Sequence, residues 1–196
     1  MGARRVFTVH RSYDEVVHLL TPPSSDYVPI SAVNFVGALI RGEQRDHFLQ
    51  TLMHADIPVR VYGNSWQKSS IWNSIKYIYK GPSLIGDAYS QALCESSITL
   101  GFLSHGNRDL VTRRSFEVLA SGGLFCAERS SEHQLLYEDG YEAVFWDSIT
   151  ECIAVCSRIL SSPEERNDIC VNGTRCIRNL GVGNMDICHQ IISVFE

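Results

Sequence analysis

Ala32-Val33-Asn34-Phe35-Val36-Gly37 and Ile57-Pro58-Val59-Arg60-Val61-Tyr62-Gly63 are two short apolar runs, each closed by glycine. Between them Phe48, Leu49, Leu52 and Met53 fall on one face of a helix over roughly residues 43–55. Runs of this kind read as strands, and the unit is strand–helix–strand. Two strands joined through a helix lie parallel, because the crossover returns the chain to the edge from which it started.

The alternation continues along the chain. Residues 86–95 read as a short helix carrying Tyr89, Ala92 and Leu93, followed by a third strand, Ile98-Thr99-Leu100-Gly101-Phe102-Leu103. Polar residues 104–112 form a loop. The next helix turns Phe116, Leu119 and Ala120 inward and is stopped by Gly122-Gly123. Leu124 to Ala127 and Ala143 to Trp146 are the fourth and fifth strands, with a short helix from His133 to Glu138 between them. Beyond these, Ile153, Cys156, Ile159 and Leu160 make one stripe, and Pro163 opens a further helix with Glu164 and Glu165 in its first turn. The expected fold class is α/β: a Rossmann-like parallel sheet of five or six strands with helices on both faces. Towards the N-terminus the pattern weakens. Arg5 to His10 reads as a strand, Asp14 to Leu20 as a short helix, and Thr21 to Asp26 as a linker. The expected organisation is an N-terminal extension (1–30), a Rossmann-like domain (31–180) and a C-terminal helix (181–196).

Composition excludes several classes of function. A formal charge of -5 gives no general field for nucleic acid. No apolar run approaches the ~18 residues of a membrane span. The start, MGARRVFTVHRSYDEV, lacks the apolar core of a secretory signal, so a cytoplasmic location is expected. The seven cysteines form no CxxC pair and read as small buried hydrophobes, with no metal site expected from their spacing. Gly181-Val182-Gly183 lacks the strand and the third glycine of a dinucleotide fingerprint.

Parallel sheets bind ligands beyond the carboxyl ends of their strands. The loops of interest are therefore 37–45, 63–69, 79–88 and 103–115. The richest is Asn107-Arg108-Asp109-Leu110-Val111-Thr112-Arg113-Arg114-Ser115, which runs into Phe116-Glu117. A helix start there offers N–H groups to a phosphate, and Arg108, Arg113 or Arg114 can add charge. Glu117 then stands one turn into the helix, in reach of a sugar hydroxyl. The plainer reading is a helix start with solvated charges. Gly63-Asn64-Ser65-Trp66 ends a strand, so its backbone can approach a nucleotide and Trp66 can pack on it, or else form a half-buried turn. His105 is the only histidine in these four loops.

Three stretches resemble the CgeB-type (spore maturation protein) branch of the group 1 glycosyltransferases. They are Val33 to Gly37 with Arg45 beyond, Val59 to Trp66, and Asn107 to Glu117 followed by Ala120-Ser121-Gly122-Gly123. Ala127-Glu128-Arg129 and Pro163-Glu164-Glu165-Arg166 continue the match in order, over roughly residues 30–180. The resemblance implies the C-terminal, donor-binding half of a GT-B enzyme. It implies a nucleoside diphosphate sugar as substrate, no cofactor, and a partner domain or chain that holds the acceptor. It assigns Asp109 and Glu117 as the catalytic carboxylates, Glu117 on the ribose and Asp109 on the donor sugar. Asp109 departs from the family's Glu-x7-Glu pattern and has a shorter reach. Donor contacts are implied for Gly37, Arg45, Gly63, Asn64, Trp66, Tyr89, Asn107, Arg108, Thr112, Arg113, Ser115 and Phe116. A nucleotide-binding module without activity of its own is the alternative.

Overall fold

The computed structural model describes residue 9, residues 11–18 and residues 28–194. The strand expected over Arg5 to His10 and the linker at Thr21 to Asp26 lie outside the described residues, apart from Val9. Six strands form one parallel sheet: β1 (Ile30–Val36), β2 (Val59–Tyr62), β3 (Tyr79–Gly81), β4 (Ser96–Gly101), β5 (Phe125–Glu128) and β6 (Val144–Trp146). Their order is β3-β2-β1-β4-β5-β6. The five strands read from sequence are all present. The sixth, β3, is a three-residue edge strand with an exposed lysine at its centre, too short to show alternation.

Alternation along each strand divides the core into two layers. Val33 and Phe35 of β1, Cys126 of β5, and Val144 and Trp146 of β6 face one layer. Val36, Phe125, Ala127 and Phe145 face the other. The first layer is covered by α2 (Arg45–His54), α3 (Trp72–Ile75) and α7 (Ile149–Ser161). The second is covered by α4 (Gly86–Cys94) and α5 (Arg114–Ala120), with the C-terminal end of α8 (Pro163–Asn179) outside them. A strand buried on both faces has almost no place for polar groups, and two of those present are bonded to the end of a helix. Asn34 Nδ2 donates to the Ala92 carbonyl at 2.5 Å and Thr99 Oγ1 to the Leu93 carbonyl at 2.9 Å, which fastens the end of α4 to the sheet.

Two shorter helices complete the description: α1 (Glu15–His18) and α6 (Ser131–Leu136). Residues 12–18 lie against the start of α9 (Asn184–Ser193). Ser12 Oγ donates to Asn184 Oδ1 at 2.6 Å, and the Met185 N–H donates to Glu15 Oε1 at 2.9 Å. Among the described residues no helix is long and apolar enough to cross a membrane.

Candidate functional site

The chain runs outward from β1 through β2 to β3, then returns to place β4 on the other side of β1. The loops leaving β1 and β4 therefore diverge at the carboxyl edge and leave a crevice between them. A cavity of about 270 Å³ occupies this position. Ile40 and Arg45 line it from the β1 side, and Phe102, Ser104, Asn107, Asp109 and Thr112 from the β4 side. Arg113, Arg114 and Glu117 form its floor at the start of α5; Tyr89 of α4 and Arg11 close it.

Glu117 is 6% exposed. The Tyr89 hydroxyl donates to its Oε2 at 2.6 Å, and Arg113 Nε stands 3.9 Å from Oε1. Burial, and after it the Glu117 carboxylate, push the Tyr89 phenol above its ordinary value, so Tyr89 remains a proton donor at neutral pH. One carboxylate oxygen is thus committed to Tyr89. The other has only a long contact to a mobile type of partner, since the Arg113 side chain is 73% exposed.

Arg45 is buried at the first position of α2. Its guanidinium lies over the rings of Phe35 and Phe102, 5.7 and 5.8 Å from their centres, and donates to the Ala38 carbonyl at 3.3 Å. It pairs with Glu43, whose other carboxylate oxygen accepts from Ser104 Oγ at 2.7 Å. Burial lowers the Arg45 pKa and Glu43 opposes that shift. Arg114 stacks on Phe35 at 5.5 Å and donates to the Val36 carbonyl at 3.0 Å. The Nε–H groups of Arg45 and Arg114 are both buried with no hydrogen-bond partner among the described residues. Two oriented guanidiniums lining one crevice suit an anion with several acceptor oxygens.

Three of the N–H groups at the start of α5 are already used, while those of Arg113 and Arg114 have no hydrogen-bond partner among the described residues. Ser115 N–H donates to the Thr112 carbonyl, and those of Phe116 and Glu117 to the Arg113 carbonyl, all within 3.1 Å.

Of the residues expected at a donor site, Arg45, Tyr89, Asn107, Asp109, Thr112, Arg113 and Glu117 line the cavity. The others are elsewhere. Trp66 is 1% exposed, packs edge-on to Phe35, and donates its indole N–H to the Gly37 carbonyl at 2.9 Å. It holds the turn after β1 from beneath and presents no face to the crevice. Gly63, with φ +148°, sits so close that a Cβ would collide with the Gly37 carbonyl. Asn64 Oδ1 accepts from the Ser83 N–H at 3.2 Å and ties two neighbouring loops. Arg108 is exposed in a left-handed turn, and Phe116 is fully buried in the core. Ser115 is fully buried too: its Oγ accepts from the Thr112 N–H at 3.1 Å and lies 2.8 Å from His133 Nε2. His133 Nδ1 is 2.9 Å from the Glu128 carbonyl, which makes Nδ1 the donor and Nε2 the acceptor for Ser115. His105 is exposed and pairs with Glu128 at 2.7 Å; it does not line the cavity.

Sequence reading missed Phe102, Ser104, Ile40 and Arg11 as site residues. Phe102 falls at the end of an apolar strand and looks like core; only the divergence of the two loops brings its ring under Arg45.

The fold is shared with Anabaena HepE solved with UDP-glucose, at TM-score 0.72 and 14% identity, covering 94% of this chain and 55% of that one. The C-terminal domain of a group 1 family glycosyl transferase (LpcC) from Francisella tularensis matches at TM-score 0.63 and 12% identity, over 85% of this chain and 97% of that one. Sucrose-phosphate synthase from Thermosynechococcus elongatus matches at 0.67 and 12% identity, over 94% of this chain and 50% of that one. This chain thus spans about half the length of HepE and of the synthase. No curated protein matches the sequence. The family model described as glycosyl transferase-like matches residues 44–180, which include the β4 wall of the crevice and Arg45 on the other side, and the chain belongs to that family.

Proposed function

We propose that the chain is the donor-binding half of a glycosyltransferase, and that the crevice between β1 and β4 holds a nucleoside diphosphate sugar. The observation that carries this is Glu117, a nearly buried carboxylate fixed on one oxygen by Tyr89 and facing the same cavity as Arg45 and Arg114. A fixed carboxylate accepts from the paired hydroxyls of a ribose. Arg45, Arg113 and Arg114 meet the diphosphate, and Asp109 is in place for the donor sugar. Glycosyl transfer breaks the bond between the anomeric carbon and the diphosphate oxygen, and negative charge builds on the leaving group. Preoriented guanidiniums lower the cost of that charge. The acceptor is held by a further domain or partner chain, because transfer requires donor and acceptor in one closed space. HepE solved with UDP and glucose, at TM-score 0.73 and 12% identity, supports the same reading by likeness of fold. Membership of the CgeB-like branch, a cytoplasmic location and independence from cofactors belong to this proposal.

The test is calorimetric titration with UDP, GDP, UDP-glucose and the free nucleosides. Binding of a nucleoside diphosphate at micromolar level, weaker for the nucleoside, is expected. If none of these compounds binds, or if Glu117→Gln and Arg45→Gln both leave binding unchanged, the reading is wrong.

A further inference from the structure

A second cluster of reactive groups lies away from the crevice. Cys126 is on β5 and faces the α7 layer by the alternation that turns Phe125 and Ala127 the other way. Cys152 and Cys156 are four residues apart on α7, one turn on the same helical face. Each is 0% exposed. The three Sγ atoms all lie within 4.8 Å of one another, and those of Cys152 and Cys156 are 3.9 Å apart. None of the three lines the cavity described above.

We propose that Cys126, Cys152 and Cys156 form a three-thiol site for copper(I). Metal–sulfur bonds to thiolates are about 2.3 Å, so three sulfurs around one ion stand about 4 Å apart. The observed separations need a contraction of less than about 1 Å, which rotation of cysteine side chains supplies without moving the backbone. Structural zinc takes four ligands, and this group contains only three, with no histidine or carboxylate among them. Soft sulfur donors select soft monovalent copper, and three sulfurs satisfy it. Each copper–sulfur bond forms as a thiol gives up its proton, and no change of oxidation state is involved. The ion would join β5 to α7 and so stabilise the folded chain over the unfolded one. The plain alternative is three small apolar side chains packed together.

The experiment is anaerobic addition of copper(I), presented with a chromophoric copper(I) chelator as competitor, to the whole chain. It is run on native protein and on protein refolded in the presence of the ion, because the sulfurs are fully buried. One equivalent retained by either preparation, with sulfur-only coordination by X-ray absorption and a raised Tm, is expected. Cys126→Ala and Cys156→Ala should each weaken retention roughly a hundredfold or more. A variant with Cys94, Cys170, Cys176 and Cys188 replaced by alanine should still hold one equivalent. Loss of copper from both preparations of the parent overturns the proposal, as does equal retention by the Cys126→Ala protein. Retention of zinc in preference to copper(I) also overturns it. Should the core variants fail to fold, sulfur-only coordination and one-to-one binding in the four-alanine variant decide the matter.

Discussion

The Tyr89 hydroxyl donates to Glu117 Oε2 at 2.6 Å, so α4 and α5 meet at the crevice through one charged hydrogen bond. Removing the phenol in Tyr89→Phe frees the carboxylate to rotate. A hydrogen bond to a charged group contributes about 1.5–3 kcal/mol. Nucleotide binding should therefore fall by about tenfold in Tyr89→Phe, and by tenfold to a few hundredfold in Glu117→Ala. Calorimetry on the two variants checks both. The structure argues for a loss of stability of about 1–3 kcal/mol in Glu117→Ala, because the Tyr89 hydroxyl is left without its partner. Chemical denaturation of Glu117→Ala measures that loss.

Glu43 sets the pose of Arg45 and links it to Ser104 on the opposite loop. In Glu43→Ala the guanidinium stays buried without its counter-charge, which costs about 3–5 kcal/mol. Stability should drop, and diphosphates should lose more affinity than the matching nucleosides. Glu43→Gln should recover part of the stability. Equal losses for nucleoside and diphosphate would separate Arg45 from the diphosphate.

His133 introduces a dependence on pH. Burial holds its imidazole below the ordinary value of 6.5, with the Glu128 carbonyl opposing. As pH falls below that value the unfolded chain takes the proton first. The contribution of neutral His133 is thus complete above about pH 6.5 and declines as pH drops towards the lower folded value. The Tm should fall between pH 7.5 and pH 5, and by less in His133→Asn. Parallel Tm profiles for the two proteins would contradict this account.

Gly63 faces the Gly37 carbonyl with no room for a Cβ, in a backbone conformation that other residues rarely adopt. Strain of this kind costs about 1–3 kcal/mol, before the collision is relieved. Gly63→Ala should lower stability by at least that much and displace the turn that carries Ala38 and Arg45. Thermal unfolding and nucleotide titration together show whether both effects occur.

The legible parts of this chain are those set by period. Five strands follow from runs such as Val33 to Gly37, because a parallel strand must be apolar on both faces. The loop from Asn107 to Arg113 was legible as a wall of the crevice, because loops beyond the carboxyl ends of parallel strands surround that edge. Trp66 is ambiguous in sequence for a physical reason: an indole at a strand end fits a ligand platform and a core anchor equally well. Only its bond to the Gly37 carbonyl decides between them. Phe102 and Ser104 were hidden for a different reason, since their role arises from a loop more than fifty residues away in sequence. The same is true of Cys126 beside Cys152 and Cys156, where strand parity and helix phase must both be known.

The sheet order places β1 beside β4, with Val33 opposite Ile98 and Asn34 opposite Thr99. The central seam of the molecule thus joins segments separated by two other strands and three helices. Pairing so distant in sequence is the costly step of chain closure and forms late. Arg45 arrives with the first half of the chain and Glu117 with the second, so a nascent or partly refolded chain holds each of them on separate pieces. Nucleotide affinity then reports completion of the seam itself. It makes the ligand a probe of global folding, and a chain stalled before residue 96 would assemble three strands and no crevice.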